Sequence, residues 1–187
     1  MLSFVEATKL FAITFVGAQK NNTPSLFNQK MSFDWNKEKR EINFLQNKKV
    51  FGRTDRVQEK YDQYLRNQTN LNPKNSDVAI KDRILNTELP INEDGVFGIE
   101  NQVTLRKNNF PYDFGDNHHY VLWIHPNCSS TLKSKIFTPE GINRVIDRIL
   151  VDAPDELRNT DRIIFRNAPE NKSVLLIEHF HVVFKTQ

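Results

Sequence analysis

The chain has 187 residues, with 26 basic and 23 acidic side chains that leave a net charge of only +3. That length allows one domain with a sizeable core plus extensions, and interspersed charges of both signs give no basic face to recommend nucleic-acid binding. A single cysteine, Cys128, excludes an intramolecular disulfide and any multi-thiolate metal site, so the expected setting is a reducing one, cytoplasmic and also open to the nucleus.

Residues 1–31 read as an extension and linker. Phe4–Val16 is apolar, yet it carries Glu6 and Lys9, holds no arginine and is too short to span a bilayer. No membrane association is expected, and a mitochondrial presequence would be richer in arginine. Asn21–Gln29 reads as a loose linker, and Met31 could serve as an alternative start. Residues 32–187 are expected to form a single domain. Phe33–Gln46, with Trp35, Ile42 and Leu45 among charges, predicts a short amphipathic helix. Asp55 and Gln58 have capping-box spacing, and Val57, Tyr61, Tyr64 and Leu65 recur at helical intervals, which predicts a second. Beyond a break at Asn72-Pro73, Ser76 or Asp77 can cap a third, with Val78, Ile80, Ile84 and Leu85 as its apolar positions.

Glu88–Asp116 is rich in Gly, Pro and acids, with a strand expected only at Gln102–Leu105. Its last stretch, Phe110-Pro111-Tyr112-Asp113-Phe114-Gly115-Asp116, is an aromatic turn that leads into a strand over Asn117–His125. Thr138-Pro139-Glu140 supplies an N-cap, a proline at the first helical position and an early acid. Ile142, Val145, Ile146 and Ile149 follow at i, i+3, i+4 and i+7, predicting a helix over 139–150. Arg162–Arg166 reads as a short strand, Asn167–Asn171 as a turn, and Ser173–Phe184 as a long strand rich in β-branched and aromatic residues. The expected fold is therefore α+β. N-terminal helices pack on a small, mainly antiparallel sheet formed by the C-terminal half, with helix 139–150 on one face.

All five histidines fall in the two strand-like segments Asn117–His125 and Glu178–Lys185. Side chains alternate across a strand, so His119, Val121, Trp123 and His125 share one face, and His179, His181 and Val183 share another. If the strands are neighbours with those faces aligned, the imidazoles converge on one pocket. His118 and Glu178 have the opposite parity and fall outside it. A histidine pair on one face suits phosphoryl or nucleotidyl transfer, with a neutral ring attacking and a protonated one stabilising charge. His179, His181 and His119 are the candidate catalytic residues, and Trp123, His125, Arg166 and Asp116 the candidate ligand contacts. No metal or other cofactor is required, although His179, His181 and His119 or His125 could hold zinc or another divalent ion. The plain alternative is a set of half-buried strand histidines bonded to backbone, Tyr120 or Asp116.

Other residues carry two readings each. Arg53 and Arg56 open the second helix, where an anion could bind, or Arg53 pairs with an acid and anchors the helix to the sheet. Arg162 and Arg166 share a parity that could face a phosphate beside the histidines, or they are edge-strand charges that discourage aggregation. Asp113 and Asp116, among Phe110, Tyr112 and Phe114, could bind a sugar hydroxyl or cap a turn that positions the strand. Cys128 lacks a third group to orient a Cys/His pair.

Several islands taken together carry a resemblance: Gly52-Arg53-Thr54-Asp55-Arg56 through Tyr61 and Tyr64, Asn109–Phe114, His119-Tyr120-Val121-Leu122-Trp123, and Lys172-Ser173-Val174 followed by His179-Phe180-His181-Val182. They resemble the fungal family named for an N-acetylglucosamine-induced protein, over Phe33–Lys185. The resemblance implies a small intracellular fungal protein with some link to amino-sugar metabolism, and no catalytic residue to transfer. In architecture, the order of His119–His125, helix 139–150, Asn167, then His179 and His181 resembles histidine-triad proteins, which grip a nucleotide phosphate. This chain departs from that pattern in having two alternating histidines instead of three and in lacking the Gly-Gln-Ser stretch, although Lys172-Ser173 lies nearby. The function expected is a histidine-lined pocket for a phosphorylated small molecule, a sugar phosphate or nucleotide. The alternatives are a metal-dependent hydrolase, or a noncatalytic interaction or regulatory protein whose loop 110–114 and extension 1–30 meet a protein partner.

Overall fold

The computed structural model describes residues 33–71, 76–91 and 95–186. The expected extension over 1–31 and the break at Asn72-Pro73 lie outside the described residues. In chain order the elements are α1 (Trp35–Glu41), α2 (Asp55–Leu71), α3 (Ser76–Thr87), β1 (Val96–Ile99), β2 (Val103–Lys107), β3 (His118–Ile124), α4 (Ser130–Ile136), α5 (Pro139–Ile149), α6 (Asp155–Arg158), β4 (Arg162–Phe165) and β5 (His179–Phe184). The fold is α+β, with its two longest helices in the N-terminal half and a five-stranded sheet of order β1-β2-β3-β5-β4 in the C-terminal half. Every pairing within the sheet is antiparallel. Among the described residues, no helix is long and apolar enough to cross a membrane.

Alternation along the two central strands sorts their side chains cleanly. Leu122 stands opposite Phe180, and both are fully buried on the face covered by α4 and α5, where Ile136, Ile142 and Ile146 meet them. Phe180 is stacked on Phe44 with centroids 5.3 Å apart and meets Phe137 edge-on. The other face holds His119, Val121 and Trp123 of β3 opposite Val183, His181 and His179 of β5. Its cover is divided. Ile80 and Ile84 of α3, with Leu65 of α2, pack on Val121 and Trp123, whereas Trp35 of α1 and the rings of Phe51 and Phe114 pack toward Ile163, Phe165 and Val183. A gap between these two apolar clusters is what lets a cavity form above the histidines.

α5 starts as its sequence predicts. The Thr138 hydroxyl accepts the Gly141 N–H at 3.1 Å, and Pro139 occupies the first turn. Gly141 is required by space: a Cβ there would lie 2.0 Å from the Lys135 carbonyl oxygen. Gly141→Ala is expected to cost at least about 2 kcal/mol, because backbone must move to admit it, and urea unfolding should register a lower midpoint at unchanged slope.

Other expectations shift at their boundaries. The helix expected over Phe33–Gln46 ends at Glu41, since Phe44 and Asn47 leave to pair with Arg166 and Ala168 beside β4. The capping box of α2 does not form; Gln58 donates to Asp62 at 2.7 Å, one turn further on. β1 went unpredicted because Gly98 interrupts its pattern. That glycine lies against β2, where a Cβ would sit 2.3 Å from the Val103 carbonyl oxygen. Strand β5 is shorter than expected: residues 173–178 are irregular, with Leu175 and Leu176 exposed, and the ladder begins only at His179.

Candidate functional site

β3 and β5 are direct neighbours, and their histidine faces coincide. His119, His179 and His181 are all buried, at 3%, 5% and 6% exposure, so they are held out of bulk water. His119 Nε2 lies 3.0 Å from His181 Nδ1. The Tyr112 main-chain N–H, a donor that cannot rotate away, reaches His119 Nδ1 at 3.1 Å. Asn108 presents its amide Nδ2 to the same ring at 3.3 Å, its orientation fixed because its Oδ1 accepts the Phe110 N–H at 2.9 Å.

Those donors set the polarity of the chain. His119 Nδ1 must carry the lone pair, so Nε2 carries the proton and donates to His181 Nδ1, which leaves the His181 proton on its own Nε2. Asn167 Nδ2 lies 3.1 Å from that Nε2 and 3.1 Å from the Tyr112 hydroxyl. Two N–H groups cannot bond to each other, so the Asn167 amide is turned to place its oxygen there, a half-rotation that leaves the shape unchanged. Every ring nitrogen of His119 and His181 then has a partner.

His179 is arranged differently. Its Nδ1–H donates to the Ile177 carbonyl oxygen at 2.9 Å, which leaves a lone pair on Nε2. Its ring packs against Trp123, centroids 4.8 Å apart. All three buried rings are held neutral. Burial pushes His119 down to about 3, with the nearby Arg53 charge adding to it. Burial pushes His179 down to about 4, against a partial offset from its bond to Ile177. His181 is held well below its ordinary value by burial and by the neighbouring His119, His179 and Arg53.

Above His179 and His181 opens a cavity of about 140 Å³, walled by Arg53 just before α2, Tyr61 on α2, Arg83 on α3 and Phe110 of the aromatic turn. Arg53 is its most unusual group. Its guanidinium carbon lies 4.0 Å from the Tyr61 ring centroid and 4.7 Å from that of Tyr112, and its Nε donates to the Phe110 carbonyl oxygen at 3.0 Å. No carboxylate among the described residues pairs with it, contrary to the anchoring ion pair that the sequence suggested. Its terminal nitrogens remain available. Arg83 lies 4.9 Å over the Tyr64 ring at the same cavity.

Trp123 lines this cavity with the two histidines of β5. The remaining expected contacts are elsewhere. His125 lies one residue past β3, where its Nδ1 accepts the Asn127 N–H, because the strand ends at Ile124 before its parity can matter. Asp116 is exposed in the turn, and its carbonyl accepts the Thr186 hydroxyl. Arg166 is on the opposite side of the sheet: Arg162, of the same parity, stands opposite Phe184, and Arg166 pairs with Glu178 at 2.9 Å. Glu178 also binds Lys172, and so stays off the histidine face as its parity predicts. The aromatic turn points inward, with Phe114 1% exposed and Tyr112 stacked on His119 at 5.2 Å.

The zinc alternative fails on donors. Of the three buried imidazoles only His179 has an unoccupied lone pair, and the described residues contain no group of three or more His, Cys, Asp or Glu placed to hold a metal ion.

The family model described as a protein of unknown function, DUF3605, matches residues 34–185. The chain belongs to that family. A solved structure, the crystal structure of HTC1, is similar to this DUF3605 chain at 21% identity over 73% of this chain and 77% of that one, with a TM-score of 0.45. No curated protein matches it.

Sequence reasoning missed the site role of Tyr112 in this DUF3605 chain, reached Asn167 only through the order shared with histidine-triad proteins, and underrated Arg53. Tyr112 acts through its main-chain N–H, for which a sequence carries no signature. Arg53 meets Phe110 across 57 positions, a separation no periodicity can bridge.

Proposed function

We propose that the cavity binds a small phosphorylated molecule, with the phosphate on Arg53 and His179 presenting Nε2 to it. The observation that carries this reading is Arg53: a half-buried guanidinium held between two tyrosine rings, without a counter-ion among the described residues. Removing a cation from water is costly unless an anion meets it, and two free guanidinium nitrogens match a phosphate as a fork. Arg53 thus takes the part that Arg166 was expected to play.

Of the three buried rings His179 is the one free to react, while His119 and His181 serve as a neutral support. In a transfer reaction its Nε2 attacks phosphorus, the ester oxygen departs with the bonding pair, and Nδ1–H stays on the Ile177 carbonyl. Water then cleaves the phosphorus–nitrogen bond. A binding or regulatory protein without turnover is the competing reading, favoured by the lack, among the described residues lining the cavity, of a second free imidazole to protonate the departing oxygen. In either case the protein works in the cytoplasm or nucleus, alongside the fungal N-acetylglucosamine-induced proteins that its sequence islands resemble.

Calorimetry with inorganic phosphate and simple phosphate monoesters tests this. Binding is expected for the native chain and at least a tenfold loss for Arg53→Leu; equal affinity in both, or no binding in either, would remove the reading. ³¹P NMR of a monoester separates the two versions, since turnover lost in His179→Ala favours the enzyme.

A further inference from the structure

The hydrogen-bonding groups left over in the cavity narrow the ligand class. Asn108 is occupied at both ends of its amide, by the Phe110 N–H and the His119 ring. Asn109 donates to Glu88 at 2.7 Å, and Glu88 in turn pairs with Arg106 at 3.5 Å. The Tyr112 hydroxyl belongs to Asn167. Among the uncharged polar side chains lining the cavity, Ser173, the phenols of Tyr61 and Tyr64 and the Trp123 indole N–H remain, and Arg83 and Lys107 are its further cations. Much of the remaining lining is hydrocarbon and forms one packed cluster: Leu65 of α2, Ile80 and Ile84 of α3, Val121 and Trp123 of β3, and Val174 of the segment before β5.

A sugar phosphate brings several hydroxyls, and each one buried without a partner costs binding energy. An aryl or alkyl body makes no such demand, and gains from every apolar contact. We propose that the phosphate this cavity accepts is carried on an apolar or aromatic body and not on a sugar. This rests on the phosphate reading above, and adds to it the side of the ligand that Arg53 does not touch. The guanidinium sets the charged end. The hydrocarbon wall between α3 and β3 selects the rest.

Three probes with one headgroup decide the matter: inorganic phosphate, glucose 6-phosphate and phenyl phosphate, each titrated calorimetrically into the full chain at one pH and ionic strength. Phenyl phosphate is expected to bind at least tenfold more tightly than either of the others. Equal affinities for the two esters, or a preference for glucose 6-phosphate, would overturn the inference and leave the phosphate reading standing. Binding of none of the three would remove both. Val174→Asn places a polar group on the hydrocarbon wall at a half-buried position outside the contacts that hold Arg53. It is expected to erase the advantage of phenyl phosphate while inorganic phosphate stays within twofold. An advantage that survives in this variant, with native thermal stability, counts against the assignment.

Discussion

Lowering the pH from 8 to 5 is expected to strip about 4 kcal/mol from the stability of this chain through His119 and His179, roughly 2 kcal/mol each, with His181 adding to the loss in the same direction. His119, His179 and His181 titrate near 6.5 when unfolded, and the first and second are pushed to about 3 and about 4 in the fold, the third well below its ordinary value. Because the folded values are lowered, the unfolded chain binds more protons at every pH below about 6.5. Stability is therefore full above 6.5 and falls through the window down to about 3–4. The loss is a large part of the whole stability of an ordinary domain, so acid should unfold the protein cooperatively. Urea titrations at pH 8, 6 and 5 measure it directly. His179→Leu should reduce the loss by about 2 kcal/mol. A stability that stays flat from pH 8 to 5 would show that the rings are not held neutral, and with them the proton chain from Tyr112 to Asn167 would fall.

Phe114→Ala is expected to cost about 3–5 kcal/mol and lower the melting temperature by on the order of 10 °C. Its ring is 1% exposed and lies 5.0 Å from each of His119, Phe33 and Phe51, edge-on to all three. The cavity left behind cannot collapse readily, because aromatic rings surround it and Phe165 stands beyond. A second consequence concerns the site. Phe114 ties down the turn whose Tyr112 N–H polarises His119 and whose Phe110 carbonyl holds Arg53. Hydrogen exchange at the Tyr112 amide should quicken in the variant by more than the global destabilisation accounts for, with phosphate affinity falling alongside. A cost below about 1 kcal/mol, or a Tyr112 amide protected as in the native chain, would show that the turn is held by other contacts.

The histidine face illustrates what could be read early. Parity along β3 and β5 separated His119, His179 and His181 from His118 and Glu178 without any knowledge of pairing, because alternation is a local property of an extended chain. Helix α5 was equally legible: its cap, proline and apolar spacing all lie within one short segment. The same reasoning overreached with Arg166, since the parity of β4 says which residues share a face and not which face meets the histidines. It overreached with His125 as well, because parity carries no information on where a strand stops.

Local spacing therefore determined the α+β class, the principal helices and the membership of each strand face, all consequences of backbone geometry and of the chain's own apolar pattern. Tertiary structure alone decided that β3 lies beside β5, that Arg53 stands over Tyr61 and Tyr112 without a carboxylate among the described residues, and that a main-chain N–H fixes which nitrogen of His119 holds the proton. These are contacts between segments far apart in sequence. They arise when burying two apolar clusters on one sheet face leaves a gap between them, and no residue carries a local mark of the neighbour it will meet across that gap.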